Sequence, residues 1–426
     1  MRHFLLACLI CFVSHLATNS GIGDELPEEV RQCGSIELSE RLAESLPHHK
    51  KDPSPDESLM EAMQDAVLLV PVVVHIVHDG GPENIDDSIV KEQIEVLNED
   101  FGRYGLGFNE FALSEDMDVR FALAQKDPEG ESTNGITRIH SDTTEYSTSE
   151  SSDFAFKRAH SWDPDRYLNI YVVREIAGNN VAGFSYLPPH ASGRAMDGIV
   201  IGYEFFGRLM DEAHNPKYNK GKTLTHEVGH YFNLLHTWGD GDCADGDEIH
   251  DTPDASGTYF SSFRDGCPAP EQCGNRRMIE NYMDYSDDPC SKVFTRGQKD
   301  RMRDAIFRWR PSLVSYENLI QTDLEEQYTE LNQEREEVRK VDIFPNPVFK
   351  GHQDLNIYAV YPEKAQTEFR LINMKGEVVW QNAEEVANRK FSINTNRMER
   401  GAYILRVNRD DKSFSKRVMI EAPSQE

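Results

Sequence analysis

The sequence predicts an α+β domain, a twisted sheet packed with helices, followed by a small all-β sandwich. Three features carry that expectation. LLVPVVVHIVH is β-branched and almost wholly apolar, as a buried strand is, and VKEQIEVLNEDF after it repeats its apolar residues at helical spacing. Further strand-like runs, VRFALAQ, YLNIYVV and DGIVIGY, lead to a helical stretch around residues 222 to 233. Beyond residue 341 the texture changes to short alternating runs such as DLNIYAV, TEFRLINM, AYILRVN and SFSKRVMI, parted by turns such as KGE and NRD.

Taken in order, residues 1–20 (MRHFLLACLICFVSHLATNS) have a basic start, a short apolar stretch and small polar residues, the plan of a secretory signal. The stretch is too short for a comfortable membrane span, and Cys8 and Cys11 leave with it. Residues 21–65 hold 12 acidic and 4 basic residues, carry PSPDES and show no clear period, so they read as an extended pro-segment. The α+β unit occupies 66–315. Residues 316–340 (YENLIQTDLEEQYTELNQEREEVRK) are helix-forming and highly charged, which predicts a solvated helical linker and not a core element. IFPNP marks the passage to the all-β unit, 341–426.

The balance of charge narrows the partners. With 74 Asp and Glu against 45 Lys and Arg, the net charge is −29, whereas a chain that grips phosphates needs a surplus of cations, so nucleic acid is excluded as a partner. At 38% apolar and 28% charged residues, disorder and a multi-span membrane protein are both disfavoured, and no transmembrane span is expected in the mature form. An acidic surface speeds encounter with basic proteins more than it selects among them.

Chemistry concentrates in TLTHEVGHYFNLLHTWGD. His226 and His230 stand four apart, so on a helix both imidazoles leave one face and can grip one Zn²⁺, with Glu227 beside them. His236 comes six residues later and reaches the same ion only if the chain leaves the helix soon after His230. Asn233 sits where a left-handed turn residue is then needed. Three histidines leave a fourth position for water; a metal lowers its pKa towards about 7, and a carboxylate at Glu227 can take the proton and deliver it to a leaving amine. Ordinary polar residues on an exposed helix face are the plain alternative.

HEVGHYFNLLH resembles the extended zinc signature of the metzincin metallopeptidases, and HEVGHxxxLxHT that of their pappalysin family, in which position 233 is usually glycine. NYMDYSDDPCSKVF supports the likeness, as do LNEDF, YLNIYVV and DGIVIGY, so that it covers nearly all of 66–315. The resemblance implies that Met283 forms an apolar floor under the metal and that Tyr285 bonds the oxyanion of the tetrahedral intermediate. It implies a structural Ca²⁺ in WGDGDCADGDEIHDTPD, with Asp247 and Thr252 as the positions carried over; by spacing alone this loop is acidic but not an EF-hand. Asp287 and Asp288 follow Tyr285, and a buried carboxylate there, Asp288 being the candidate, would select Arg or Lys after the scissile bond. Two surface aspartates are the alternative.

Five cysteines remain after the signal, four of them (Cys243, Cys267, Cys273 and Cys290) within 48 residues. Secretion favours disulfides, and the residues leave three pairings of the four open. The resemblance suggests Cys243 with Cys273 and Cys267 with Cys290. Cys33, in RQCGS, is left over. A thiolate from a pro-segment can fill the water position on zinc, and RQCGS looks like the cysteine switch of latent pappalysin-like precursors. His75, His78, His140, His160 and His190 read as core or surface residues.

IFPNPV, NMKGEVVW, RGAYILRV and KRVMIE resemble the sorting domain of the type IX secretion system of Bacteroidetes, with a carbohydrate- or protein-binding sandwich as the alternative. Together these readings imply a zinc-dependent endopeptidase made as a latent zymogen, acting on proteins or peptides, and either secreted or held at the outer cell surface. A surface-attached binding or adhesion protein with an idle peptidase fold is the competing reading, and intact Glu227 counts against it.

Overall fold

The computed structural model describes residues 31–45, 54–55, 57–63, 66–102, 114–176, 181–208, 217–239, 241, 243, 246–344, 346, 348–349, 354–409 and 412–421. The expected signal segment lies outside the described residues. The N-terminal part supplies β1 (Arg31–Cys33), α1 (Ser35–Ser45) and α2 (Glu57–Ala62). Then follow β2 (Leu68–His78), α3 (Asp87–Phe101), β3 (Val119–Leu123), β4 (Ile136–His140), β5 (Glu145–Tyr146) and α4 (Glu150–His160). They are succeeded by β6 (Leu168–Val173), β7 (Glu175–Ile176), β8 (Val181–Ser185), α5 (Pro188–Ala191), β9 (Ile199–Gly202) and α6 (Lys222–Tyr231).

The strands form one mixed sheet in the order β3-β2-β6-β9-β8-β7-β5, with β4 also on β2 and β1 on β8. β2 runs parallel to β3, β4 and β6, and every residue before its last is buried. That explains its unbroken apolar run: helices cover the sheet, so neither face needs polar side chains. β8 is antiparallel to β9 and lies against the helix carrying the histidines. α3 packs Val90, Ile94, Leu97 and Phe101 into the main core, and its stripe also carries Gln93 and Asp100, both buried.

The described part of the expected pro-segment carries regular structure. β1 adds to β8 in parallel register, Cys33 opposite Gly183, and α1 buries Leu38 and Leu42 in a cluster with Val181, Phe184 and Tyr186. Two leucines four apart make too narrow a stripe to stand out as a period, yet they suffice to dock a helix on a ready-made surface.

After α6 come a two-stranded hairpin, β10 (Glu271–Gln272) and β11 (Asn275–Arg276), then α7 (Arg296–Trp309), α8 (Tyr316–Gln321) and α9 (Glu325–Arg339). α7 begins with a full capping box, Thr295 and Gln298 exchanging side-chain-to-backbone bonds. The segment 316–340 is helical as expected, but its first part is not merely solvated: Leu319 and Leu324 are buried against Leu69 and Ala122. Its charge hides how few apolar residues a helix needs to dock.

The tail holds β12 (Val341–Phe344), β13 (Val348–Phe349), β14 (Leu355–Asn373), β15 (Val378–Ile393), β16 (Gly401–Arg409) and β17 (Lys412–Glu421). It is all β, but its six strands belong to one hydrogen-bonded sheet curled around its own core, which includes Val341, Ile357, Phe369, Leu405 and Val418, instead of two facing sheets. The cause is the length of β14. Its first residues pair with β12 and its last with β16, while a register shift between Val360 and Ala365 bends it. Among the described residues, no helix is long and apolar enough to cross a membrane.

Candidate metal centre and catalytic site

α6 carries the first two histidines. Its first residues are held from below by Asp288, whose Oδ2 accepts from the N–H groups of Lys220 (2.7 Å) and Lys222 (3.3 Å), satisfying donors that the start of a helix leaves open. The helix ends abruptly: Asn233 has φ 73°, the N–H of Leu234 donates back to the Gly229 carbonyl at 2.9 Å, and that of Asn233 to His230. This left-handed closure turns the chain back so that His236 faces the two helical rings.

The three Nε2 atoms stand 3.1–3.2 Å apart pairwise. His226 Nδ1 lies 2.7 Å from the Tyr282 carbonyl oxygen and His230 Nδ1 2.7 Å from that of Leu234. A carbonyl only accepts, so each Nδ1 carries the proton and each Nε2 of this pair points a lone pair at the common centre. Burial pushes His226 down to about 4 and holds His230 and His236 well below the usual imidazole range. Three neutral rings crowded nitrogen to nitrogen repel one another unless a cation sits among them. Around a tetrahedral zinc, nitrogens at about 2.1 Å from the ion stand about 3.4 Å from each other, close to the spacing observed. Among the described residues, Cys33, His226, His230 and His236 form a group whose ligand atoms all lie within 4.8 Å of one another. The donor set therefore fits zinc. Burial and the charge of Glu227 push the Cys33 thiol up, so a thiolate there needs a cation beside it.

Met283 is fully buried, and a Cβ on Gly229 would clash with its sulfur, so the glycine in HEVGH lets this turn pack directly on α6. The turn is fastened further: Asp284 accepts from both Nε and Nη2 of Arg277 (2.8 and 2.9 Å), both side chains being fully buried, and from the Thr237 hydroxyl. Tyr285 lies beside His226 and His236, and its hydroxyl is 3.4 Å from the Cys33 carbonyl. Burial, then the charges of Cys33 and Glu227, raise its phenol well above the usual range.

Glu227 is fully buried. Its Oε2 accepts from the Ser35 hydroxyl at 2.7 Å and lies 3.7 Å from Cys33 Sγ, while its Oε1 has no hydrogen-bond partner among the described residues. Burial pushes this carboxyl up to about 8, opposed by the bonds from Ser35 and Cys33. The Ser35 oxygen also accepts from the Ser185 N–H at 2.9 Å, so one residue of the N-terminal segment bridges strand β8 and Glu227.

Asp287 and Asp288 have different surroundings. Asp287 is used within its loop, accepting from the Phe263 N–H at 3.1 Å. Asp288, also buried, lines a cleft with Tyr218, Thr223, His226 and Tyr285. Burial pushes it up to about 7, opposed by the Lys220 and Lys222 amides and the Lys222 charge.

Asp247 and Thr252 lie apart from the histidine cluster. Asp247 Oδ1 accepts from the Thr252 hydroxyl (2.6 Å) and the Ile249 N–H (3.1 Å), and its buried Oδ2 has no hydrogen-bond partner among the described residues. Cys243 is bonded to Cys273 and Cys267 to Cys290, with Cα–Cα separations of 5.3 and 5.6 Å. Cys33 is free.

Several contributors escaped the sequence reading. Asp100 accepts from Lys222 Nζ (2.6 Å), Thr225 Oγ1 (2.7 Å) and the Tyr282 hydroxyl (2.8 Å), locking α3, the histidine helix and the methionine turn together. Its signal was available: an acidic residue in the apolar stripe of a helix needs buried partners. Ser35 had no comparable signal.

A family model described as pregnancy-associated plasma protein-A matches residues 150–307, and one described as a secretion system C-terminal sorting domain matches 342–421. Extracellular metalloprotease 1 of Coccidioides posadasii is 30% identical over 279 residues, 64% of this chain and 87% of that protein. Among solved structures, mature mirolysin of Tannerella forsythia in complex with a cleaved peptide is 35% identical with TM-score 0.50, covering 63% of this chain and 98% of that one. A promirolysin variant of the same organism is 32% identical with TM-score 0.54, covering 71% and 99%.

Proposed function

The chain belongs to the pappalysin family of metzincin peptidases and ends in a type IX secretion sorting domain; from that premise we propose how its own residues perform and restrain peptide hydrolysis. It is a zinc metalloendopeptidase acting on protein substrates, exported to the medium or the outer surface. In our reading His226, His230 and His236 hold the zinc. The ion supplies Lewis acidity, polarising a peptide carbonyl and making a water nucleophilic near neutral pH.

Glu227 takes the proton of the attacking water and hands it to the leaving amine. A carboxylate within reach of that water can do both, accepting the proton as a base and returning it as an acid. Tyr285, beside His226, donates its hydroxyl to the oxyanion once the Cys33 carbonyl has left it. Met283 is the apolar floor and Asn233 the turn that delivers the third ring. The convergence of three Nε2 atoms beside a buried Glu227 is the observation that carries this reading.

Residues 21–65 act as a latency segment whose Cys33 closes the metal's fourth position, supported by its place among the three histidines. The promirolysin match, which extends over more of this chain than the mature mirolysin match does, fits that reading. The remaining boundaries are proposed as read: 1–20 signal, 66–315 catalytic domain, 316–340 helical linker and 341–426 sorting domain. Asp288 gives a preference for Arg or Lys after the scissile bond; its buried carboxylate beside His226 supports this. A calcium ion at Asp247 and Thr252 is supported by the buried Oδ2 of Asp247, which has no hydrogen-bond partner among the described residues.

One comparison tests the core of the proposal. Activated wild type, Glu227→Ala and Asp288→Asn are given casein and peptides that vary only at the residue after the scissile bond, and products are identified by mass spectrometry. Glu227→Ala is expected to keep its zinc and lose at least 1,000-fold in rate, roughly the contribution of positioned proton transfer. Asp288→Asn is expected to lose selectivity for basic residues. Equal cleavage by wild type and Glu227→Ala would defeat the catalytic assignment, and indifference of the wild type to the varied residue would end the Asp288 reading alone.

A further inference from the structure

Strand β8 holds Glu227 from a second side, independently of the pro-segment. A Cβ built on Gly183 would stand 3.0 Å from Glu227 Cγ, 3.3 Å from its Oε1 and 3.3 Å from the Val200 carbonyl oxygen. The Cα of Gly183 is therefore the wall against which the Glu227 side chain rests. Two residues on, and so on the same face of the strand, the Ser185 hydroxyl donates to the Glu227 carbonyl oxygen at 3.0 Å in a fully buried contact.

Gly183 is not needed for backbone reasons. It is absent from the glycines with positive φ and sits in an ordinary antiparallel ladder opposite Ile201, where an L-residue fits the backbone. What the glycine provides is space, and the space is filled by Glu227. Among the described residues Oε1 has no hydrogen-bond partner.

We propose that Gly183, with Ser185, is a positioning residue for the general base: the bare strand sets the depth at which the Glu227 carboxylate lies, and the Ser185 hydroxyl sets the height of its helix against that strand. The proposal rests on the reading of Glu227 as the base. A side chain at 183 would push that carboxylate aside by several tenths of an ångström without touching the histidines. Displacement on that scale is felt in the rate of the chemical step, where about 1 Å can cost 100-fold, and not in binding of the substrate or the metal.

The test uses the zinc-loaded full chain after activation. Gly183→Ala is expected to lower kcat about 10- to 100-fold, with KM within about twofold and zinc content and Tm close to wild type. The same substitution in a Glu227→Asp background, whose shorter side chain withdraws from the strand, is expected to cost less than about threefold, a non-additivity that reports contact between the two residues. An equal loss in both backgrounds, or an unchanged kcat for Gly183→Ala, overturns the proposal. If Gly183→Ala does not accumulate as folded, zinc-bound protein, Ser185→Ala decides: a severalfold loss of kcat with zinc retained supports the positioning role, and an unchanged kcat rejects it. Glu227→Ala in parallel separates the two levels of inference. If that variant stays active the base assignment itself fails, whereas an inactive Glu227→Ala beside an unaffected Gly183→Ala removes the positioning role alone.

Discussion

In the proposed latent form, Ser35 and Cys33 restrain different atoms of one site. The thiol lies within 4.8 Å of the three histidine nitrogens proposed to hold zinc, and the Ser35 hydroxyl donates to Glu227, the proposed base, at 2.7 Å. A buried hydrogen bond to a charged group contributes about 1.5–3 kcal/mol, enough to change a rate by tenfold or more. Cys33→Ala is therefore expected to self-process during expression, and Ser35→Ala to stay latent but activate about tenfold sooner in a time course followed by gel; unchanged latency in Cys33→Ala would exclude the switch. His75 behaves differently from these residues. Both its nitrogens have partners, Thr137 and Asn169, its ring stacks on Tyr171, and burial pushes it down to about 4. Because its folded pKa lies below the unfolded value near 6.5, the unfolded chain binds the proton first. Stability is unaffected above about pH 6.5 and falls by up to roughly 3 kcal/mol as pH drops towards 4. In denaturant titrations over that range, His75→Gln should lose stability less steeply than wild type; parallel curves would show that His75 does not set this slope.

At the scale of elements, the histidine helix was the most legible part of the molecule. A spacing of four states which face two rings share, and Asn233 marks where the helix must stop. The loop that follows was legible only as acidic and cysteine-rich. Its two disulfides and the buried Arg277–Asp284 pair hold residues 243–290 around the methionine turn, contacts between positions whose separation gives no periodic signal. If calcium adds to that fastening, chelating it at constant zinc should lower Tm by about 5–10 °C, the effect of losing a ligand held at about 100 times its Kd. Asp247→Asn should reproduce the shift, and no change on chelation would end the calcium proposal. The N-terminal elements were the least legible. α1 docks through Leu38 and Leu42 on a surface built by β8 and its neighbours, which no local pattern encodes.

At the scale of the whole molecule, the tail has a core of its own, formed among its six strands. Deleting residues 341–426 is therefore expected to leave peptidase activity within about twofold while abolishing appearance of the protein outside the cell, read by fractionation and casein cleavage. Loss of activity in the truncated chain would show that the tail supports the catalytic domain. The sequence by itself determined the class of the enzyme, through the spacing of His226, His230 and His236 and the resemblance of that motif to the pappalysin signature, because a short motif and its spacing are local properties that a linear reading retains. Tertiary structure alone decided how the site is held: that β8 presents a bare glycine to Glu227, that Ser35 bridges to it, that Asp100 ties three elements together, and that the tail closes as one curled sheet. Each of these joins residues distant along the chain, and which distant residues meet is set by packing of the whole, not by the propensities of any one segment.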